Sequence, residues 1–477
     1  MCGDPLFMTE REIEREHLVK TLIEENHRLK ERITQLEREL AKARKNSATS
    51  SKPPSSDLVK PPKKPHKTDV ETPQKIGGQP GHPKHERVAF PTERLDRTVE
   101  YTLTMCPHCG TPLEDAEEAP RVIQQVEIRD VPIRIDAHRG HASWCPSCRA
   151  IHYAPFPATV EAGGLFGPRL TTLVAYMKGV CHASFSTIRK FLRDIVGVRV
   201  SRGYLRKLIA KMSDALEPTF EALLAALPDQ PAIHIDETGH KDNGDRFWTW
   251  CFHADLYTLF RIDPSRGSQV LLEVLGAEFT GVIGCDYFSA YRKYMRLNTS
   301  VAVQFCLAHL IRDVKYLTTL RDAPTQAYGE RLRQALKALF EVIHRRDDLT
   351  PPAFQQALEH ARNQVVAEAS QQVPQTNDAQ NLATRFEKHG AQYFQFITTP
   401  DIEPTNNLAE QAIRFVVIDR RITQGTRSAS GRQWCERIWT VIATCTQRGI
   451  DIFEFLHQSL LAHWNLMPGP SLLQDSG

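Results

Sequence analysis

Two short apolar runs that each close on an aspartate do most to limit what this chain can fold into. Ala232-Ile233-His234-Ile235-Asp236 and Val282-Ile283-Gly284-Cys285-Asp286 both read as strands, because β-branched residues with few polar interruptions suit a pleated, covered surface. The aromatic and β-branched stretch from Phe247 to Ile262 supplies two more strands of antiparallel character. Another apolar run, Val301 to Cys306, leads through His309 into a helical segment with Arg312 and Lys315. Strands with carboxylates at their ends, followed by helices, make an α/β sheet with a site along one edge.

A third acid comes much later. Pro404 and Thr405 suit a helix start, and Leu408, Ala412 and Phe415 then form an apolar stripe at helical spacing. Asn407, Glu410 and Arg414 fall on a different, polar face, so Glu410 can point into a site while its helix packs on the sheet. Three converging carboxylates suit hard, oxygen-seeking cations such as Mg²⁺ or Mn²⁺. Two such ions about 4 Å apart can activate an attacking oxygen and stabilise a leaving one in phosphodiester displacement. Taken singly the acids decide nothing: an Asp ending a strand is usually a turn or cap residue, and Glu410 beside Arg414 is usually a surface pair one helical turn apart.

The N-terminal half carries different signals. From Val19 the heptad a positions read Val19, Asn26, Ile33 and Leu40, and the d positions Leu22, Leu29 and Leu36, a short leucine zipper whose buried Asn favours two parallel strands. The alternative is a single amphipathic helix packed on the protein's own core. Between Lys42 and Arg87 stand eleven Lys/Arg against four Asp/Glu in a Ser/Pro-rich stretch, a flexible basic linker behind an overall net charge of only +3. Such lysines either bind DNA phosphates nonspecifically or form a solvated tether.

Cys106-Pro107-His108-Cys109 and Cys145-Pro146-Ser147-Cys148 follow, with 35 residues between the pairs. Their four thiolates match a closed, structural Zn²⁺ site, and the alternation Val126, Ile128, Val131, Ile133, Ile135 between them reads as strands. The remaining seven of the eleven cysteines are scattered, which argues against a disulfide framework. From Leu170 to Leu224 the pattern is helical. After Gly197, Ser201 caps a helix whose polar face carries Arg202, Arg206, Lys207 and Lys211, either the DNA-binding helix of a helix-turn-helix or plain scaffold. No apolar run approaches the roughly 18–20 residues a membrane span needs, and the first ten residues lack the form of a secretory signal, so a cytoplasmic protein without membrane association is expected.

The residues around the acids carry a specific resemblance. Asn406-Asn407-Leu408-Ala409-Glu410 with Arg414, Asp419-Arg420-Arg421, Gly425 and Gly431 resembles the signature around the catalytic Glu of the insertion-sequence-sixty-six transposase family. Asp286 to Tyr291, Cys306-Leu307-Ala308-His309-Leu310, His234 to Thr238 and the linker motif Gly77 to His82 resemble its other segments. The resemblance implies a bacterial DDE transposase with an RNase H-like catalytic domain, Asp236, Asp286 and Glu410 as catalytic Mg²⁺ ligands, and a helical insertion before the Glu helix. Tyr287 departs from the Gly of many relatives.

The expected organisation is multidomain α+β. It comprises a coiled coil (1–46), linker (47–98), four-Cys zinc module (99–157), helix-turn-helix-like DNA-binding domain (158–228), catalytic domain first part (229–318), helical insertion (319–400), catalytic domain second part (401–465) and tail (466–477). Cleavage at transposon ends and strand transfer into target DNA would be the activity. Terminal inverted repeats and target DNA would be the substrates, a homodimer or higher oligomer through the zipper the assembly, and proteins of the same element accessory partners. His309, Arg312 and Arg414 are expected at DNA phosphates, with a structural role for His309 the alternative. Two rival functions are a catalytically inert DNA-binding regulator and an RNase H-like nuclease that cuts without joining.

Overall fold

The computed structural model describes residues 10–44, 89–95, 98, 105, 108, 111–112, 133–147, 149–399 and 402–473. The chain divides into two compact units, residues 63–138 and residues 1–62 with 139–477. In the smaller, Thr92–Arg94 forms a single 3₁₀ turn and Met105 bridges Pro112. Cys106, Cys109 and Cys148 lie outside the described residues, as do the basic linker up to residue 88 and the alternation from Val126 to Val131.

The larger unit opens with helix α1 (Glu10–Arg44). Its heptad residues Val19, Leu22, Leu29, Ile33, Leu36 and Leu40 are each 45% or more exposed, so this stripe is not packed on the chain's own core. At Ile133 and Ile135, the described end of the alternation, no strand forms. Ile135 is 83% exposed, and a period-two pattern with no face to bury against has nothing to hold it as a strand. The strands that do form are β1 (Ala142–Cys145) and β2 (Ala150–Tyr153), an antiparallel pair with Cys145 opposite Ala150.

Four helices follow: α2 (Ala158–Gly163), α3 (Pro168–Gly179), α4 (Phe185–Asp194) and α5 (Arg202–Ala225). Ser184 and Ser201 cap α4 and α5 by accepting the backbone N–H groups of Thr187 and Tyr204. Gly197 takes φ +76° in the connection, a left-handed conformation that a side chain would strain.

The five-stranded sheet comprises β3 (Ala232–Asp242), β4 (Asp245–His253), β5 (Thr258–Asp263), β6 (Val282–Cys285) and β7 (Ala302–Phe305) in the order β5-β4-β3-β6-β7. The first three strands are antiparallel; β6 and β7 run parallel to β3. Helices α6 (Ser268–Leu275), α7 (Ser289–Leu297) and α8 (Leu307–Leu317) make the crossovers and exit. Then come α9 (Ala323–His344), α10 (Pro351–Ser370), α11 (Asn377–His389) and the short α12 (Gln395–Thr398), a helical stretch in the place expected for the insertion. The described chain ends with α13 (Asn407–Thr423), α14 (Ala429–Arg448) and α15 (Ile452–Trp464).

Register does the positioning. Ala232, Ile233 and His234 of β3 pair in parallel with Val282, Ile283 and Gly284 of β6. Continued two residues on, that register sets Asp236 beside Asp286, just beyond the end of β6. Asp236 does not end its strand, as the sequence suggested; β3 runs on to Asp242, paired with β4 through all the later residues. The notch comes from the shortness of β6.

The opposite sheet edge is closed by α14. Glu436, Thr440 and Thr444, four residues apart, accept the N–H groups of Ile262, Phe260 and Thr258 on β5 at 2.7, 3.0 and 3.2 Å. Four helical residues rise about 6 Å and two strand residues about 6.6 Å, so the two ladders stay in step over this length. An edge that would otherwise template another strand is thereby satisfied. Arg437 on the same helix donates to Ser213 O and pairs with Glu217, both on α5. The helices expected to stand apart as 158–228 thus share a core with the C-terminal helices.

Candidate active site

Each acid is positioned by a different local cause. On β3, Asp236 Oδ1 accepts the N–H of Glu237 at 2.9 Å. Past β6, Asp286 Oδ1 accepts the N–H of Phe288 at 2.8 Å, a local turn that fixes its side chain as the chain enters α7. Glu410 arrives through the start of α13, which Asn406 fastens to the sheet.

Asn406 is 1% exposed, and its Nδ2 donates to Ile235 O at 2.7 Å, one residue before Asp236. With Nδ2 so engaged, Oδ1 faces His234 Nδ1 at 3.3 Å, which therefore carries the proton. The Asn406 backbone donates to Cys306 Sγ at 3.1 Å, and Leu307 N–H to Pro404 O at 2.9 Å. These bonds tie β3, the β7 end and α13 together one turn before Glu410, whose own N–H bonds Asn406 O at 3.1 Å. Gly284 makes room for the arrangement: a Cβ there would sit 2.4 Å from His234 Nδ1.

The buried stripe of α13 differs from the expected one. Ala409, Ile413 and Val416 face the core, while Leu408 is 39% exposed. The helix starts at Asn407 rather than at Pro404, and the side chains that meet the sheet lie one residue later in phase. Asn407 and Arg414 are exposed and Glu410 is half-buried, consistent with a separate polar face.

Burial pushes the Asp236 carboxyl well above the usual range, and the negative charges of Glu237, Asp286 and Glu410 push the same way. Asp286 is likewise raised, by burial first and then by Glu237, against the opposing pull of the Phe288 N–H and Arg266. Desolvated acids that repel one another are suited to a divalent ion, which would replace the protons that Asp236 and Asp286 otherwise retain. Asp236, Asp286 and Glu410 therefore fit such an ion by charge and donor type.

Behind the acids lies a network that sequence reasoning missed. Glu237, with its side chain 2% exposed, accepts Arg266 Nε and Nη2 at 2.8 and 2.7 Å and the Tyr291 hydroxyl at 2.5 Å. Arg266 stacks 3.9 Å from the Phe288 ring centre and 4.6 Å from that of Trp248. The Asp286 turn is so held from both sides. Tyr287 lies between the Arg292 and Arg385 guanidinium groups, each 4.4 Å from its centre, and against Phe305 and Tyr393. It pins the helical stretch, through Arg385 of α11, to the loop of the second acid.

Other expected positions fall in three places. His309 Nε2 and Arg312 Nη2 both lie 3.6 Å from Glu410 carboxylate oxygens, so these two meet the third acid directly. Arg202, Arg206 and Lys207 are exposed on α5, Arg202 donating to Ser186 Oγ at 2.8 Å. Lys211 is half-buried, bonded to Ala162 O and set 5.7 Å over the Trp464 ring, which makes its observed contacts structural. Cys145 ends β1.

Gly425, part of the signature after Glu410, has φ +90° and lies so close to the β3 backbone that a Cβ would strike Lys241 O. Thr426 then extends the sheet, donating its N–H to Lys241 O, and gives its hydroxyl proton to Asp242. Gly425 and Thr426 thus fix the α13–α14 turn on β3.

Two relatives from Sinorhizobium fredii (strain NBRC 101917 / NGR234) align with this chain. Uncharacterized protein y4qI is 22% identical over 339 residues, covering 64% of this chain and 61% of the relative. Uncharacterized protein y4jD is 21% identical over 395 residues, covering 76% and 75%. The chain thus spans 61% of the length of the first. Residues 4–88 match a family of unknown function (DUF6444). Residues 163–433, more than half of the chain and inclusive of all three acids, match the family model described as Transposase IS66 family, and the chain belongs to that family.

Proposed function

We propose that this chain is a DDE transposase of a bacterial insertion sequence, with an RNase H-like catalytic domain that cuts at transposon ends and joins the exposed 3′-hydroxyl to target DNA. The observation that carries the reading is the β3–β6 register, which aligns Asp236 with Asp286, together with the Asn406 side chain that fastens the start of α13, one turn before Glu410, to β3 beside Asp236. The sheet order, three antiparallel strands followed by two parallel ones, is the arrangement an RNase H-like domain requires.

Asp236, Asp286 and Glu410 would hold Mg²⁺ or Mn²⁺. When bound, such ions activate the attacking oxygen and stabilise the leaving one. The protein's own part is positioning. Arg266 and Tyr291 hold Glu237 and so set the wall behind Asp236. His309 stays neutral, lowered to about 4 by burial and by Arg312, and therefore adds no charge beside Glu410. Arg312 and the exposed Arg414 lie on the segments that carry or face the third acid, where a DNA phosphate would approach.

In this reading Arg202, Arg206 and Lys207 contribute DNA contacts from α5. Cys106, Cys109, Cys145 and Cys148 hold structural Zn²⁺, and α1 pairs with a second copy so that two DNA ends are processed together. Terminal inverted repeats are the recognised DNA, and proteins of the same element are the expected accessory partners.

The test is a strand-transfer assay with a pre-cut DNA end, target DNA and Mg²⁺ or Mn²⁺. Joined product that disappears in Asp236→Ala is expected. Cleavage without joining would instead mark a nuclease, and DNA binding with neither reaction a regulator.

A further inference from the structure

We propose that Cys306, His309 and Glu410 form a second metal site, selective for Zn²⁺ or another soft divalent ion, that captures the third catalytic acid and holds the enzyme inactive. Among the described residues this is the group of three or more His, Cys, Asp or Glu whose donor atoms all lie within 4.8 Å of one another. Asp236, Asp286 and Glu410 do not meet that spacing with the side chains as they stand. Glu410 is turned to the Cys306 side.

The donors come from separate elements that the fold locks together. Cys306 stands at the N-cap of α8, His309 on its first turn, and Glu410 on α13, tied to Cys306 through the Asn406 N–H. His309 is 9% exposed with Nδ1 lacking any hydrogen-bond partner, and Glu410 Oε1 is likewise buried and unpartnered. The orphaned Glu410 Oε1 calls for an occupant, and the His309 ring nitrogen nearest to it is Nε2. His309 Nε2 stands 3.6 Å from that same Oε1. Tetrahedral Zn²⁺ with its usual bond lengths sets neighbouring donors roughly 3.3–3.6 Å apart. A small adjustment of the Glu410 and His309 side chains therefore completes three positions and leaves the fourth to water.

Donor chemistry decides which ion. Thiolate and imidazole favour Zn²⁺, Co²⁺ or Cd²⁺, whereas Mg²⁺ takes oxygen ligands and keeps its waters. On binding, the Cys306 thiol releases its proton to solvent and the sulfur bonds the ion. Backbone N–H groups of Asn406, Ala308 and His309 already point at that sulfur and support the thiolate. Arg312, 3.6 Å from Glu410 Oε2, can remain on the second carboxylate oxygen.

Capture of metal is independent of the transposase reading; the inhibition rests on it. The binding test uses the full chain with its other cysteines intact, titrated with Co²⁺ and followed by the thiolate-to-metal charge-transfer band and by bound-metal stoichiometry. Wild type is expected to bind one ion more than Cys306→Ser. Glu410→Gln, which preserves size in a partly open position, should weaken that ion by at least about 10–100-fold. Equal stoichiometry and superimposable spectra for wild type, Cys306→Ser and Glu410→Gln would overturn the site, and the Gln variant keeps the test decisive if Cys306→Ser fails to fold. In a parallel Mg²⁺-driven strand-transfer assay, added Zn²⁺ should suppress wild type, whereas Cys306→Ser, whatever its own rate, should join equally with and without Zn²⁺. Zn²⁺-insensitive joining by wild type would overturn the inhibitory role. Metal capture without DNA chemistry under any condition would count against the transposase reading and leave the site standing.

Discussion

The side chains of Asp236 and Asp286 are held in a state that works against the fold when ionised. Both are raised by burial, and neighbouring carboxylates add to the effect. The sign follows from linkage: a carboxyl whose folded value exceeds its unfolded one, near 4, contributes stability that is complete below the unfolded value and is lost as pH rises through the folded one. The metal-free chain should therefore melt at a lower temperature at pH 8 than at about pH 5.5. Each pH unit by which such a carboxyl is raised corresponds to about 1.4 kcal/mol, and about 2–4 °C of melting midpoint follows each kcal/mol. Mg²⁺ should raise the midpoint more at pH 8 than at pH 5.5. Asp236→Asn should flatten the pH dependence and melt higher than wild type without metal. A metal-free melting curve that rises steadily to pH 8 in wild type would contradict this account of the acids.

Among the elements, α13 shows best what sequence could and could not disclose. Its helical character, its polar face and Glu410 were legible because apolar spacing and the Asn-Asn-x-x-Glu signature are local. Its phase on the sheet was not, because Ala409, Ile413 and Val416 are buried by where Asn406 fastens the helix, and that depends on Ile235, His234 and Cys306 far away in sequence. The same distinction separates the expected strands from the notch: β-branched runs announced β3 and β6, but only pairing set Asp236 mid-strand beside Asp286. Glu237 offered no signal at all, since an acid next to an acid looks like a solvated pair until Arg266 and Tyr291 are seen around it. If Asn406 positions α13, Asn406→Ala leaves the buried Ile235 carbonyl without its side-chain donor, a loss of about 1–3 kcal/mol. Thermal unfolding should register that loss, and strand transfer should fall with it. Glu410→Gln should abolish joining with the melting midpoint nearly unchanged. An Asn406→Ala chain with wild-type joining would show that α13 is placed by its apolar face alone.

Across the larger unit, the five-stranded sheet and α1 solve different problems. The sheet satisfies its β5 edge with α14 and buries its apolar strands, so the acids sit in a self-sufficient core. The helix α1 leaves Leu22, Leu29 and Leu36 at 55, 57 and 47% exposure along one stripe. Apolar residues repeating at heptad spacing on an otherwise polar helix gain free energy only when a partner covers them, and a second copy offers the matching stripe. Placing charge in that seam sets two uncompensated carboxylates against each other in an apolar interface, which strongly disfavours pairing. Leu29→Glu should therefore halve the molar mass measured by light scattering while leaving the melting of the sheet-bearing core unchanged. If two copies are needed to hold two DNA ends, the same variant should still join a single pre-cut end and should lose concerted joining of both ends to one target. Retention of concerted joining by a monomeric Leu29→Glu chain would place end pairing elsewhere in the protein, outside the α1 stripe.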